Sequence, residues 1–369
     1  MTQTMNETPS TDHIEPKTGA AASLAKQSPA KQPSPAGQPS PAGQPSPQEQ
    51  PPRRRRLNGQ LVLGGGFALA ILLLVVRFLT FGNPVDPDFI KNLPGNYEDN
   101  MDIYFPLIND TEEEPIDDGV TTIVAFGNAP FADDRDSKDG LANLIAEESG
   151  AAVYNCSVGG SYLAAKEATF LDGLYPMDAF NFYWLTTLIA LDNHVIYERA
   201  FAAMGEDTPP DAREAYETLS GIDFRKVDLI TILYDGSDYL AGHPIYNGDN
   251  ETDIQYFTGN LTAGIQLIKE TFPYIRIIVM SPTYAFGIDE DGSYISSDIR
   301  TYGQDVLSSY AILQGHAANS EGVTFVDHLY GTVTEDNAAD YLTDNLHLNV
   351  AGRKLVAKRF CKALTYYER

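Results

Sequence analysis

The chain has 369 residues and a formal net charge of −26. The charge is unevenly spread: residues 1–83 hold eight Lys/Arg and four Asp/Glu, and the remainder holds 17 and 47, a net −30. So acidic a surface repels polyanions, which argues against a nucleic-acid partner and leaves neutral glycans or small esters as the fitting ligand class.

Residues 1–52 carry almost no large apolar side chains and include the repeat QPSPAGQPSPAGQPSP. Such a segment cannot bury enough surface to offset its ordering entropy, so residues 1–56 are expected to form a disordered Pro/Gln/Ser-rich tail. Arg53–Arg56 then precede the apolar run Leu61–Phe81. Twenty-one residues at helical rise span about 31 Å, the thickness of a bilayer's hydrocarbon core. Residues 57–82 are therefore expected to be a transmembrane signal-anchor, with Arg77 snorkelling at its far end. Four arginines before the span and acidic residues after it place the N-terminus in the cytoplasm and the C-terminal domain outside. The long n-region and the lack of an A-x-A site argue against a cleaved signal peptide.

Residues 83–119, rich in Asp, Glu, Pro and Asn, read as an acidic stalk, part of which could fold onto the C-terminal domain. From residue 120 to 369 there is enough chain for one α/β domain. TTIVAF (121–126) is a continuous β-branched run, as expected of a strand covered on both faces. A helix is expected over Ser137–Ser149, capped by Ser137, followed by a short strand at AAVYN (151–155). The insertion 162–226 carries Trp184, Leu188, Leu191 and Val195 at helical spacing, with Tyr175, Phe180 and Phe182 as candidates for an aromatic rim. VDLITILY (227–234) is the third strand, Thr252–Thr271 a helix stopped by Pro273, IRIIVM (275–280) the fourth strand and GVTFVD (322–327) the fifth. The last helix, Val350–Leu364, is expected to be capped by Asn349. Strand–helix alternation of this kind implies a parallel sheet with helices on both faces, and ligands of such sheets bind at the carboxyl ends of the strands.

The first strand runs into Gly127-Asn128-Ala129, the second into NCSVGGS (155–161), the third into YDGSDY (234–239), and LTDNLHLN places Asp344 three residues before His347, ahead of the last helix. In this order of strands and motifs, residues 121 to about 364 resemble the SGNH (GDSL-type) hydrolases. The resemblance implies a flavodoxin-like three-layer α/β/α sheet and ester hydrolysis or acyl transfer, often on acetylated carbohydrate. It implies His347 as general base with Asp344 orienting it, and Gly160 as an oxyanion donor. Ser237 falls where that family has an asparagine donor. The G-D-S nucleophile triplet falls on Gly127, Asn128 and Ala129.

Ala129 is the decisive departure, because a methyl group cannot attack a carbonyl. Removing the serine of a serine protease costs roughly 10⁶ in turnover, about 8 kcal/mol of barrier. Acyl-serine chemistry at position 129 is excluded. Two readings stand: an enzyme using His347-activated water or another hydroxyl, and a non-catalytic descendant that binds a glycan or protein through the same cleft. His194, His243, His316 and His328 lack metal-ligand spacing, so no metal and no other cofactor is expected. Cys156 and Cys361 fit either one disulfide or two buried thiols.

The anchor has a direct consequence. Protease added to intact cells should remove the C-terminal domain and spare the tail; a protected domain would refute this topology.

Overall fold

The computed structural model describes residues 100–108 and 112–366. The expected tail (1–56), membrane span (57–82) and the first part of the stalk lie outside those residues. Among the described residues, no helix is long and apolar enough to cross a membrane.

In chain order the elements are β1 (Thr122–Gly127), α1 (Ala129–Ala132), α2 (Leu141–Ser149), β2 (Ala152–Asn155), α3 (Phe182–Leu191), α4 (Val195–Met204), α5 (Pro210–Gly221), β3 (Leu229–Leu233), α6 (Ser237–Leu240) and α7 (Phe257–Thr271). They continue with β4 (Arg276–Met280), the small hairpin β5 (Gly287–Ile288) and β6 (Tyr294–Ile295), α8 (Leu307–Ser320), β7 (Thr324–Val326), α9 (His328–Gly331), α10 (Ala338–Tyr341) and α11 (Val350–Leu364). The main sheet is parallel, in the order β2-β1-β3-β4-β7. All residues of β1 and β3 are buried, which is why both read as unbroken apolar runs rather than alternating ones. α2 packs on α11, while α7 packs on α3 and α8.

This order reverses at β1: one connection leads from it to β2, the other side is taken by β3. A crevice opens at such a switch point, outside the carboxyl ends of the strands. The fold therefore directs attention to the exits of β1 and β3.

The domain begins earlier than residue 120. Ile103 forms an antiparallel bridge with Phe325 of β7, with N···O distances of 2.9 and 2.8 Å. Asp102 accepts from the Asp327 N–H at 2.7 Å and from Arg359 of α11 at 2.8 Å. This segment covers the free edge of β7, which would otherwise expose unpaired backbone groups.

Several helix boundaries differ from the sequence expectation. α2 starts at Leu141 after Gly140, because residues 133–140 fold into turns, with Ser137 N–H on Asp134 O and Gly140 N–H on Ser137 O. Ser137 caps no helix; its hydroxyl oxygen accepts the Asp139 N–H within the turn. α7 starts at Phe257, since the Ile254 carbonyl is taken by Ala165 N–H and Gly259 sits against the Asp253 carbonyl. The apolar stripe of the insertion is broken by Asp192 in the left-handed region, φ 54°. Of its members Leu188 is buried, whereas Leu191 and Val195 are 62% and 59% exposed. Phe180 and Phe182 are core residues rather than a rim, the latter edge-on to Phe126 of β1; Tyr175 remains at the surface. Both cysteines are free buried thiols.

α3 approaches α7 closely at Gly264, where an added Cβ would lie 2.5 Å from the buried Phe182 ring. Overpacking of about 1–3 kcal/mol should outweigh the roughly 1 kcal/mol that alanine gains in helix propensity. Gly264→Ala is expected to lower the urea midpoint of unfolding; an unchanged or raised midpoint would contradict this packing.

Candidate active site

Gly127 ends β1 against β3 so closely that a Cβ there would lie 2.0 Å from the Leu233 carbonyl oxygen. No other residue fits that approach. Asn128 follows, buried, and ties three chain segments together. Its Nδ2 donates to Asp235 Oδ1 at 2.8 Å and to Ser161 O at 3.1 Å, and its Oδ1 accepts from Asp235 N at 2.9 Å. The residue in the aspartate position of the G-D-S pattern is thus a structural clamp. Ala129, 6% exposed, begins α1 with its methyl packed.

The segment after β2 brings Gly160 to the same place. Gly160 lies exposed in the left-handed region, φ 73°, a conformation that favours glycine. The following residues are fixed from α6: the buried Asp238 carboxylate accepts from Leu163 N (2.8 Å) and Ala164 N (3.0 Å). Ser237, partly exposed, donates its N–H to Asp235 Oδ1 at 2.9 Å. Burial pushes the Asp235 carboxyl above the ordinary range, against the bonds from Ser237 and Asn128 and the charge of His347.

The fourth part is the loop before α11. Its ends pair as an antiparallel bridge, Leu342 with Leu348. Asn345 exchanges two hydrogen bonds of 3.0 Å with the backbone of Phe286, immediately before β5. Asn349 caps α11 by accepting the Gly352 N–H at 3.0 Å. Within this frame Asp344 Oδ2 lies 2.8 Å from His347 Nδ1, and Asp344 Oδ1 accepts the backbone N–H of His347 and Leu346. The pair is open to solvent, the two side chains being 48% and 42% exposed.

Burial alone would lower the pKa of His347. Its bond to Asp344 and the charges of Asp344, Asp133 and Asp235 outweigh burial and carry it above the ordinary histidine value. Burial likewise opposes ionisation of Asp344, yet the His347 and Leu346 bonds hold it below the usual carboxylate range. Asp133, partly buried after α1, is pushed up by burial against the charges of His347 and Arg353. These mutual effects place His347 in one electrostatic neighbourhood with the exits of β1 and β3.

Three residues that sequence reading passed over do much of this positioning, Asp235, Asp238 and Arg353, and a fourth, Asp133, adds its charge to the surroundings of His347. Arg353, almost wholly buried, donates to Leu348 O (2.9 Å), to Asp139 O (2.9 Å) and to Asp134. It thereby fastens the His347 loop to the turn after α1. An arginine inside an amphipathic helix next to D-x-x-H is the one sequence signal that could have exposed it.

Other nucleophiles and bases near the strand ends are closed off. Burial pushes the Cys156 thiol far up and that of Cys361 up to about 12, so neither forms a thiolate near neutrality. A second Asp–His pair, Asp238 Oδ1 with His243 Nδ1 at 2.7 Å, lies buried beneath Tyr162, and its Nε2 is taken by Lys166. Among the described residues no group of three or more His, Cys, Asp or Glu is arranged to hold a metal ion.

No protein-family model matches the sequence, and no curated protein is detectably similar to it. Solved structures do match. The structural neighbours include hydrolases of the SGNH/GDSL type. A possible lipase from Chitinophaga pinensis shares 12% identity over 67% of this chain and 98% of its own, with a TM-score of 0.43. A candidate lipolytic protein of the G-D-S-L family from Desulfitobacterium hafniense shares 13% over 66% and 99%, TM-score 0.36. A carbohydrate acetylesterase from Sinorhizobium meliloti shares 10% over 67% and 99%, TM-score 0.39. At such identities the likeness concerns the fold alone, and the chemistry rests on this chain's own residues.

The raised His347 pKa depends on Asp344. Asp344→Asn should bring it back toward or below the ordinary value, read from the imidazole resonances in a pH titration; an unmoved pKa would mean that the pair does not interact in solution. In stability terms the His347 contribution is present below the unfolded-state pKa and is lost as pH rises through the higher folded-state value. It is small, because the pair is half exposed.

Proposed function

We propose that the domain is an ester hydrolase or acyltransferase of SGNH type, anchored in the cell membrane by one N-terminal helix and acting outside the cell on surface glycan or a small ester. The observation that carries this reading is the solvent-open Asp344–His347 pair, whose loop packs through Leu346 against Gly236 at the exit of β3. Asp344 holds the Nδ1 side of the imidazole, which leaves Nε2 to accept a proton from an attacking oxygen. Gly160 N–H, which has no acceptor among the described residues, is suited to receive the developing oxyanion. Since position 129 carries no nucleophile, water or a hydroxyl elsewhere in the cleft must attack.

Ala129 supports a second reading, in which the cleft is a non-catalytic descendant that retains a glycan or protein ligand. The two readings part on one experiment. Assayed on a panel of acetyl and short-acyl esters, the chain should hydrolyse at least one, and His347→Ala should reduce kcat/KM by about 10²–10⁴. Activity should rise with pH through the raised His347 pKa, because the neutral imidazole is the working base. No hydrolysis of any ester, with glycan binding that His347→Ala weakens, would favour the second reading.

A further inference from the structure

We propose that Ser237 is the nucleophile of this cleft, the attacking hydroxyl having moved from the exit of β1 to the exit of the adjacent strand β3. The inference rests on the ester-hydrolase reading above and gives it the group it lacks.

The two positions are neighbours by construction. β1 and β3 pair directly, Gly127 opposite Leu233. Beyond their last residues, Asn128 and Asp235 exchange hydrogen bonds of 2.8 and 2.9 Å, so the chains stay side by side as they leave the sheet. Ala129 comes next on one side and Ser237, two residues on, on the other. Ser237 is anchored by its own N–H on Asp235 Oδ1 at 2.9 Å. Unlike Ala129 it is partly exposed.

The base is brought to Ser237 by packing. A Cβ added at Gly236 would lie 3.5 Å from Leu346 Cδ1 and 2.7 Å from Ala285 Cβ, so the chain just before Ser237 lies against the residue just before His347. Asp235, to which Ser237 is bonded, and His347 feel one another's charge. The hydrogen bond from Ser237 Oγ to His347 Nε2 closes when substrate is bound; catalytic hydrogen bonds are often long in the free enzyme and tighten in the complex.

The other hydroxyls at these strand ends are buried or held in local structure. Ser157 is buried and donates to Asn155 Oδ1 at 2.6 Å; Ser161 is buried and donates to Val158 O at 2.8 Å. Ser137 belongs to the turn leading into α2. The Tyr162 ring packs edge-on against the buried His243, with the Lys166 ammonium over its face.

The chemistry balances without a co-reactant. Ser237 Oγ attacks the ester carbonyl carbon while its proton passes to His347 Nε2. The carbonyl π electrons go to the oxygen, received by Gly160 N–H. Collapse of the adduct breaks the carbon–alkoxy bond, and the leaving alkoxide takes the proton from His347. Water, or an acceptor alcohol in acyl transfer, then attacks the acyl-serine, gives its proton to His347, and Ser237 departs with that proton.

A fluorophosphonate probe tests this without knowledge of the substrate. The full chain, treated and mapped by peptide mass spectrometry, should carry one adduct, on Ser237, and the labelling rate should fall at least 100-fold in His347→Ala and vanish in Ser237→Ala. Because a lost signal could reflect misfolding, Ser237→Cys is tested as well. Its new thiol should react with iodoacetamide in a His347-dependent manner, while the buried Cys156 and Cys361 do not. An unlabelled native chain beside an Ala129→Ser variant that labels at position 129 would overturn the Ser237 role and leave the ester-hydrolase cleft standing. No labelling in either protein, beside ester hydrolysis that His347→Ala abolishes, would overturn the Ser237 role and leave water as the attacking group; no labelling and no hydrolysis would overturn both. An adduct on Ser237 that forms equally fast in His347→Ala would refute activation by the pair.

Discussion

The exchange of hydrogen bonds between Asn128 and Asp235 is the constraint on which the rest of the cleft depends. Both side chains are buried, where an unpaired polar group costs about 1–3 kcal/mol, so the exits of β1 and β3 can leave the sheet in only one mutual arrangement. The third bond of Asn128, to Ser161 O, extends that arrangement to the segment that carries Gly160. Asp235 in turn anchors Ser237. One amide side chain thus correlates three strand ends that are far apart in sequence. The residue that in a GDSL-type motif would precede the nucleophile serves here as scaffold, which is compatible with a hydroxyl that acts from β3.

Charge gives the cleft its second character. The domain is strongly acidic, and His347 stands among Asp344, Asp133 and Asp235, which favour its protonated form. The compensating cation is Arg353, whose three nitrogens reach the His347 loop and the turn after α1 at once. A buried guanidinium is tolerated there because each of its three nitrogens donates a hydrogen bond and one of them meets a carboxylate. The Asp238–His243 pair has the same chemistry and nearly the same distance, but it is sealed under Tyr162 and capped by Lys166, so it braces the segment after Gly160. Exposure, rather than residue type, separates a candidate base from a brace.

Local pattern and tertiary context can be separated element by element. The runs at 121–126, 227–234 and 275–280 were legible because a strand buried on both faces must be apolar at every position. The cap at Asn349 was legible because a side-chain acceptor three residues before a free N–H is a local arrangement. The starts of α2 and α7 were not, since both are set by backbone contacts with distant or folded-back chain: Gly140 against Asp134 O, and Ile254 O with Ala165. The break at Asp192 reflects a left-handed backbone that no periodicity reveals. Phe180 and Phe182 looked like rim residues because aromatic character does not disclose which way a loop turns.

By itself, the sequence determined the alternation of strands and helices, the positions of Gly160, Asp344 and His347, and the absence of a hydroxyl at position 129. These are properties of single residues and short spacings. Only the tertiary structure decided that Asn128 clamps rather than reacts, that Asp133, Asp235 and Arg353 belong to the neighbourhood of His347, and that Ser237 stands beside the chain that carries it. Those facts depend on which buried polar groups find partners across the sheet. Such pairing is settled by the packing of segments a hundred and more residues apart, and no local pattern encodes it.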